Sequence, residues 1–388
     1  MEMMGCQYQN LQEALSGYFK TGIPFVAYDG NLLKPAGIGD DIGIYYFIPK
    51  IAHAFGISLD QSINVFFISV ISVSLFLGII GVFLYFKKWS IRCLGAVELV
   101  LLAYRSFSEG GIYTIPLSIA MAIIPLFLYF TERRKVSLSF LIFLSWAGVV
   151  IGVGNYLRIH AGTGVLIFLI IISFFHLQIL WKQKIILITL ILISTLAPMT
   201  YFNQLLNQKD NYLRRNNPAY ERVLREHPFW HSVYIGFGFL NNDYGIKYKD
   251  EVAIEKVRSI SPKTTYLSEE YEAILKEQVL KLIKTKPLFV LRTIFAKFGV
   301  ISLYLLIFAN VGLIAVYFHR KCWPLETAFW GAMIFNSLFG VLVIPDERYL
   351  TGFITFATLY GIISIEEAIE HIPWGRFGAL LRRKGEEL

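Results

Sequence analysis

The sequence predicts an all-α, polytopic transmembrane helix bundle of about nine to ten spans with one sizeable extracytoplasmic loop domain. Three observations predict it. Uninterrupted apolar runs recur at lengths that cross a bilayer. Of the 388 residues, 55% are hydrophobic and only 16% charged, well under the quarter expected of a soluble domain, and the mean hydropathy is +0.55. The short gaps between runs alternate in character. Lys87, Lys88 and Arg92 mark one side, with Arg133, Arg134 and Lys135, then Lys182 and Lys184, then Arg320 and Lys321, then Arg382, Arg383 and Lys384. The other side holds Asp40 and Asp41, Arg105 and Glu109, Arg158 and His160, and Asp346, Glu347 and Arg348. Basic clusters on every second loop place that side in the cytoplasm and the acid-bearing side opposite, the expectation for a bacterial inner (plasma) membrane protein with its chemistry facing outward.

Element by element, spans are expected near 62–86, 111–130, 163–181, 184–201, 298–318, 325–344 and 349–368. Two shorter runs, 91–104 and 137–153, must also cross if the alternation is to hold. The chain divides into an extracytoplasmic acidic loop region (1–60), a first transmembrane group (61–201), an extracytoplasmic loop with juxtamembrane helices (202–297), a second transmembrane group (298–369) and a cytoplasmic interfacial tail (370–388). Nine crossings with a cytoplasmic C-terminus leave 1–60 outside. A first span ahead of this start is the expectation, a reverse anchor at 62–86 the alternative. Within the loop, Ser268 is placed to cap a helix with Glu269 and Glu270 in its first turn and Lys281 and Lys284 in its last. Pro287 opens another helix that runs through Arg292 and Lys297 into the next span. Trp374, Phe377, Leu380 and Leu381 among Arg376, Arg382 and Arg383 predict an interfacial helix at the end of the chain.

The net charge of +8 lies mostly in short loops beside apolar runs, which makes it a topology determinant next to anionic lipid and argues against nucleic acid as a partner. Three cysteines make no disulfide scaffold and no CxxC pair, and no N-x-S/T sequon occurs. His227 and His231 are four apart, but Pro228 and the lack of a third ligand argue against zinc, so no metal and no cofactor are expected. His53 and His176 read as ordinary interfacial or core residues.

Three charged constellations remain. Gly39-Asp40-Asp41-Ile42-Gly43-Ile44-Tyr45-Tyr46 carries paired carboxylates ahead of a membrane helix; one can act as a general base, and its neighbour raises its proton affinity. The same pair can equally cap a helix ending at Phe55. Pro345-Asp346-Glu347-Arg348-Tyr349 presents an arginine suited to gripping a phosphate, or a hydrated turn capping the last helix. Asn155-Tyr156-Leu157-Arg158-Ile159-His160 offers a second guanidinium and a hydrogen-bonding imidazole, or two side chains that only snorkel; Arg105 and Glu109 can be a plain surface ion pair.

Taken together, the acidic pair before the first long span, the N-x-x-R-x-H turn, the large loop ending in a surface helix, the K-x-P-x-F-V-L-R run through Lys286, Pro287 and Arg292, and the late P-x-E-R-Y motif resemble polytopic glycosyltransferases of the GT-C superfamily, in particular the protein O-mannosyltransferase and aminoarabinose-transferase branch. The resemblance implies transfer of a sugar from a polyprenyl-phosphate-linked donor to a lipid, glycan or protein acceptor on the extracytoplasmic face, with inversion. It implies Asp40 or Asp41 as base and Arg348 near the donor phosphate, with Glu347, Arg158, His160, Arg105 and Tyr45 as further substrate-binding candidates. The family's pair is typically Asp-Glu, so the Asp-Asp here leaves open which one acts. A lipid-linked polysaccharide polymerase or ligase, in which the outer loop carries the essential residues, is the rival enzyme. A lipid or solute transporter is the first non-enzymatic rival, with Glu98 as its deeply placed acid, and a noncatalytic partner subunit is the second.

Overall fold

A computed structural model of the chain describes residues 5–30, 32–37, 41–109, 111–133, 136–217, 220, 229–266, 268–318 and 322–371. Almost every element is helical. Helix α1 (Gly5–Thr21) lies on a two-stranded antiparallel hairpin, β1 (Val26–Asp29) and β2 (Leu32–Pro35), which pairs Val26 with Pro35 and Asp29 with Leu32. After α2 (Ile44–Phe55) the long helices begin: α3 (Leu59–Tyr85), α4 (Trp89–Glu109), α5 (Ile115–Glu132) behind a 3-10 turn at Gly111–Thr114, α6 (Leu138–Leu157), α7 (Thr163–Ile171) with a π-turn at Ile172–His176, and α8 (Trp181–Asn216). The loop segment supplies α9 (Phe229–Gly236), α10 (Asp250–Ile260) and α11 (Glu269–Thr285). The chain ends its described part with α12 (Pro287–Ala309), α13 (Val311–Ala315), α14 (Trp323–Leu342) and α15 (Thr351–His371).

Seven helical segments among the described residues are long and apolar enough to cross a membrane: Leu59–Tyr85, Gly111–Glu132, Leu138–Leu157, Trp181–Asn216, Pro287–Ala309, Trp323–Leu342 and Glu347–Glu370. The chain is an all-α, multi-pass bundle. Two sequence expectations change places. The run expected to be short, 137–153, is a full helix of 20 residues because Ser137 caps it and Gly152 and Gly154 do not break it. The run expected at full length, 163–181, is α-helical only to Ile171 before its π-turn. α12 starts at Pro287, as its sequence predicts, whereas the stretch from Asn203 expected as turn-rich is helical, since α8 continues unbroken to Asn216. The region expected as an acidic loop contains α1, the hairpin and α2. The expected tail helix lies outside the described residues, apart from the end of α15.

Caps explain the helix starts. Ser58 and Gln61 form a reciprocal capping box at α3, and Ser268 accepts from Tyr271 N at α11, as its sequence predicts. α5 and α15 form the centre, with 83% of their most apolar stretches buried, while the corresponding stretches of α8 and α12 are 22% buried and present apolar side chains outward. Tight helix pairs rest on small residues. On α6, a Cβ at Gly148 would sit 2.6 Å from Ser194 of α8, and one at Gly152 would sit 2.2 Å from Thr195 O. Such a small-x-x-x-small stripe lets two backbones meet where lipid supplies no hydrophobic drive for pairing.

At one end of the bundle, Lys87 N and Lys88 N donate to Glu366 Oε1 (2.7 and 3.3 Å), and Cys322 Sγ lies 3.6 Å from His176 Nδ1. The other end gathers Asp41, Tyr113, Arg158 and Arg348. Helix α12 enters from that end but stops partway, where Ala309 meets Gly361 in the middle of α15 and Asn310 takes a positive φ of 38°. Helices α9–α11 and the start of α12 form a separate small core of Val233, Tyr234, Phe237, Leu275, Val279 and Val290 among others.

Candidate functional site

The segment leading into α2 is bolted to the end of α6. Gly43 N donates to Tyr156 O at 3.1 Å, and a Cβ on Gly43 would lie 2.7 Å from Leu157 Cα, so only glycine permits this approach. That contact brings Asp41 to Arg158, 117 residues away: Arg158 Nη1 donates to Asp41 Oδ1 at 3.4 Å, and Gln7 Nε2 donates to Asp41 Oδ2 at 3.1 Å. The two side chains are only 14% and 12% exposed. Asp41 does not cap α2. The cap position is Gly43, with no side-chain hydrogen bond, and Asp41 gives that turn its carbonyl, which accepts from Ile44 N. Asp40 lies outside the described residues.

Arg158 ends α6 in an extended conformation and projects over two phenol rings. Its Cζ is 4.1 Å from the Tyr113 centroid and 5.7 Å from that of Tyr349, distances at which a cation is attracted by the ring face. The turn that follows is closed by Asn155 Oδ1, which accepts from Gly162 N (2.7 Å) and Thr163 Oγ1 (3.4 Å). That tight turn holds His160 in the left-handed region, with a φ of 62°. Its imidazole is exposed and faces Phe335, with ring centroids 6.0 Å apart.

Asp346 caps the 3-10 turn at Glu347–Leu350 by accepting from Arg348 N, and grips the Arg348 guanidinium with both oxygens (3.0 and 3.1 Å). Of the two readings of this motif, the structure shows the cap: Asp346 caps this turn. Burial raises the Asp346 carboxyl, but the hydrogen bonds from Arg348 outweigh it and leave the group below its ordinary value. Arg348 Cζ lies 6.0 Å from the Tyr113 ring. Arg105 is paired with Glu347, which ties α4 to the last loop. The Glu109 side chain lies outside the described residues. Tyr45 packs under the N-terminal segment, where a Cβ at Gly37 would strike its ring at 2.2 Å; burial pushes its phenol up to about 12.

Sequence reasoning passes over the phenols that join these parts. Tyr113 and Tyr349 rings meet edge to face (5.2 Å), and Tyr349 OH is 3.2 Å from Tyr248 OH, whose own proton affinity is raised by burial. Tyr349 closes the P-x-E-R-Y motif. Tyr113 and Tyr248 carry no signal in the sequence, because tyrosines near span ends are expected as interfacial anchors.

Beside Arg105, a groove of about 560 Å³ runs between α4 and the end of α12. It is walled by Leu101, Leu102, Tyr104, Ile307 and Phe308, with Glu98 and Asn310 also lining it. His231 instead belongs to the α9–α11 unit, where its ring nitrogens meet Tyr271 OH (2.7 Å) and Asp250 Oδ1 (3.1 Å). His227 lies outside the described residues. Among the described residues, no group of three or more His, Cys, Asp or Glu side chains is placed to hold a metal ion. Set against protein-family models, curated proteins and solved structures, the chain matches none.

Proposed function

We propose that the chain is a membrane glycosyltransferase that moves a sugar from a polyprenyl-phosphate-linked donor to an acceptor hydroxyl at the extracytoplasmic face. The observation that carries this reading is the meeting of Asp41, a carboxylate not used as a cap of α2, with Arg158, which is itself seated over Tyr113 and Tyr349 at the bundle end where Arg348 and Arg105 also lie. The chemistry needs a base for the acceptor hydroxyl and cations for the phosphate oxygens that gain charge as the glycosidic bond breaks. Asp41 fits the first role, with Asp40 its neighbour in sequence, and Arg348, Arg158 and Arg105 fit the second. Glu347 holds Arg105, and the His160 imidazole and the Tyr45 region border the same loops. The apolar wall of the groove beside Arg105, formed by Leu101, Leu102, Tyr104, Ile307 and Phe308, suits the isoprenoid tail, leaving the head at the guanidiniums. Attack by the deprotonating hydroxyl on the anomeric carbon expels the lipid phosphate and inverts the centre.

The test is sugar transfer in membranes from a panel of radiolabelled polyprenyl-phosphate sugars, comparing wild type with Asp40→Asn, Asp41→Asn and Arg348→Ala. Loss of the base is expected to cost about 10²- to 10⁴-fold, and loss of Arg348 about 10²- to 10³-fold, at normal protein levels. Transfer indifferent to both Asp changes points to the polymerase or ligase reading. One observation favours a transporter: α12 breaks at Asn310, which lines the same groove as Glu98, and broken helices beside an ionisable group are how transporters build their sites. Glu98→Gln separates the two, leaving transfer intact in an enzyme and abolishing movement of the lipid in a transporter.

A further inference from the structure

Every arginine proposed to hold the donor phosphate already carries a carboxylate: Arg348 has Asp346, Arg105 has Glu347 and Arg158 has Asp41. The pairs differ in how firmly they are made. Arg348 and Asp346 are two residues apart, share two hydrogen bonds near 3.0 Å, and are further fixed by the backbone cap. Arg158 and Asp41 come from separate elements and meet at 3.4 Å, beyond the usual range for a good N–H···O bond. Each partner of that weak pair also has independent support. Arg158 rests on the faces of Tyr113 and Tyr349, and Asp41 Oδ2 accepts from Gln7. The contact can therefore open without either side chain losing its position.

We infer that the Arg158–Asp41 pair is a carboxylate-for-phosphate exchange switch, in which the donor's phosphate takes Arg158 and thereby releases Asp41 Oδ1 to accept the acceptor's proton. The inference rests on the glycosyltransferase reading and adds regulation to it. While Arg158 holds Oδ1, the carboxylate is a poor base, because a neighbouring guanidinium stabilises its charged form. The donor's phosphodiester offers Arg158 two oxygens that match its planar fork, where Asp41 gives one carboxylate oxygen at 3.4 Å. Once exchanged, Asp41 Oδ1 no longer faces the guanidinium and can take the acceptor's proton when a donor is in place. The base is thus withheld until there is a sugar to transfer.

The test is binding of radiolabelled farnesyl methyl phosphate, a diester with the single negative charge of the donor, to the full chain in a neutral detergent. In wild type the phosphate must displace Asp41. In Asp41→Asn it need not, and the amide oxygen of the substituted side chain can still accept from Gln7. Asp41→Asn is expected to bind the probe roughly five- to tenfold more tightly, although the same change removes transfer. Arg158→Gln is expected to weaken binding, and Asp29→Asn, at the exposed pair with Lys34, to leave it unchanged. Inorganic phosphate, which has no tail, is expected to compete weakly; competition as strong as that of the lipid overturns the assignment to a lipid phosphate. Binding that is lost in Arg158→Gln yet unchanged or weakened in Asp41→Asn overturns the exchange and leaves the donor site standing. Failure of every form to bind the probe overturns the donor-site reading itself, and the switch with it.

Discussion

Two carboxylates show how much a residue's role depends on what faces it. Asp346 closes a turn and clamps an arginine within its own loop, whereas Asp41 gives its backbone to the turn and its side chain to Arg158 and Gln7. Asp250 is a third case, away from the bundle. Its hydrogen bond with His231 holds its carboxyl below the ordinary value, against burial, which opposes the shift. A carboxyl lowered on folding contributes stability above its unfolded value of about 3.9, and that contribution disappears as the pH falls through the lowered value. Because the Asp250 side chain is 67% exposed, the contribution is small, about 0.5 kcal/mol or less. Thermal unfolding of wild type is therefore expected to lose slightly more between pH 6 and pH 3 than that of Asp250→Asn. A variant that tracks wild type at both values rules the pair out as a contributor.

At the scale of elements, helix pairing is decided by where backbones can touch. Gly152 of α6 faces Thr195 O so closely that Gly152→Val must push α6 and α8 apart, at an expected cost of about 2–3 kcal/mol. Gly299 of α12 has open space around it, so Gly299→Ala is expected to be neutral or to stabilise by up to about 1 kcal/mol through helix propensity. Denaturation of both variants in detergent checks the contrast; equal behaviour shows that the α6–α8 contact does not hold the bundle. Neither contact was legible in the sequence. Gly148 and Gly152 sit in an apolar run with nothing to say which helix they meet. The spans themselves were legible because charge is costly in lipid and collects at helix ends. The swapped lengths of α6 and α7 show the limit: hydropathy measures apolar run length, while a cap at Ser137 and a π-turn at Ile172–His176 set where a helix begins and stops.

Across the whole molecule, the parity of basic and acidic loops was readable, and the contacts agree with it, joining Lys87 to Glu366 at one end and Asp41 to Arg158 at the other. Sidedness can be checked directly. With the three native cysteines replaced by serine, a membrane-impermeant maleimide in intact cells is expected to label Tyr244→Cys, on the α9–α11 segment, and not Lys87→Cys; labelling of the reverse set inverts the orientation. The candidate residues stood out as charges beside apolar runs, but their partners did not, because pairs separated by 117, 101 and 279 residues (Asp41–Arg158, Tyr248–Tyr349, Lys87–Glu366) are created only by folding.

The three arginine–carboxylate pairs also bear on how a substrate arrives. Paired charges of opposite sign cancel within a few ångströms, so beyond a Debye length of about 8 Å they exert little pull on an approaching anion. Such a mouth does not steer its ligand through water. The donor we propose, anchored by its tail, has no need of it, since it would travel in two dimensions within the bilayer, and the rate of encounter would be governed by its density in the leaflet, with ionic strength having little influence.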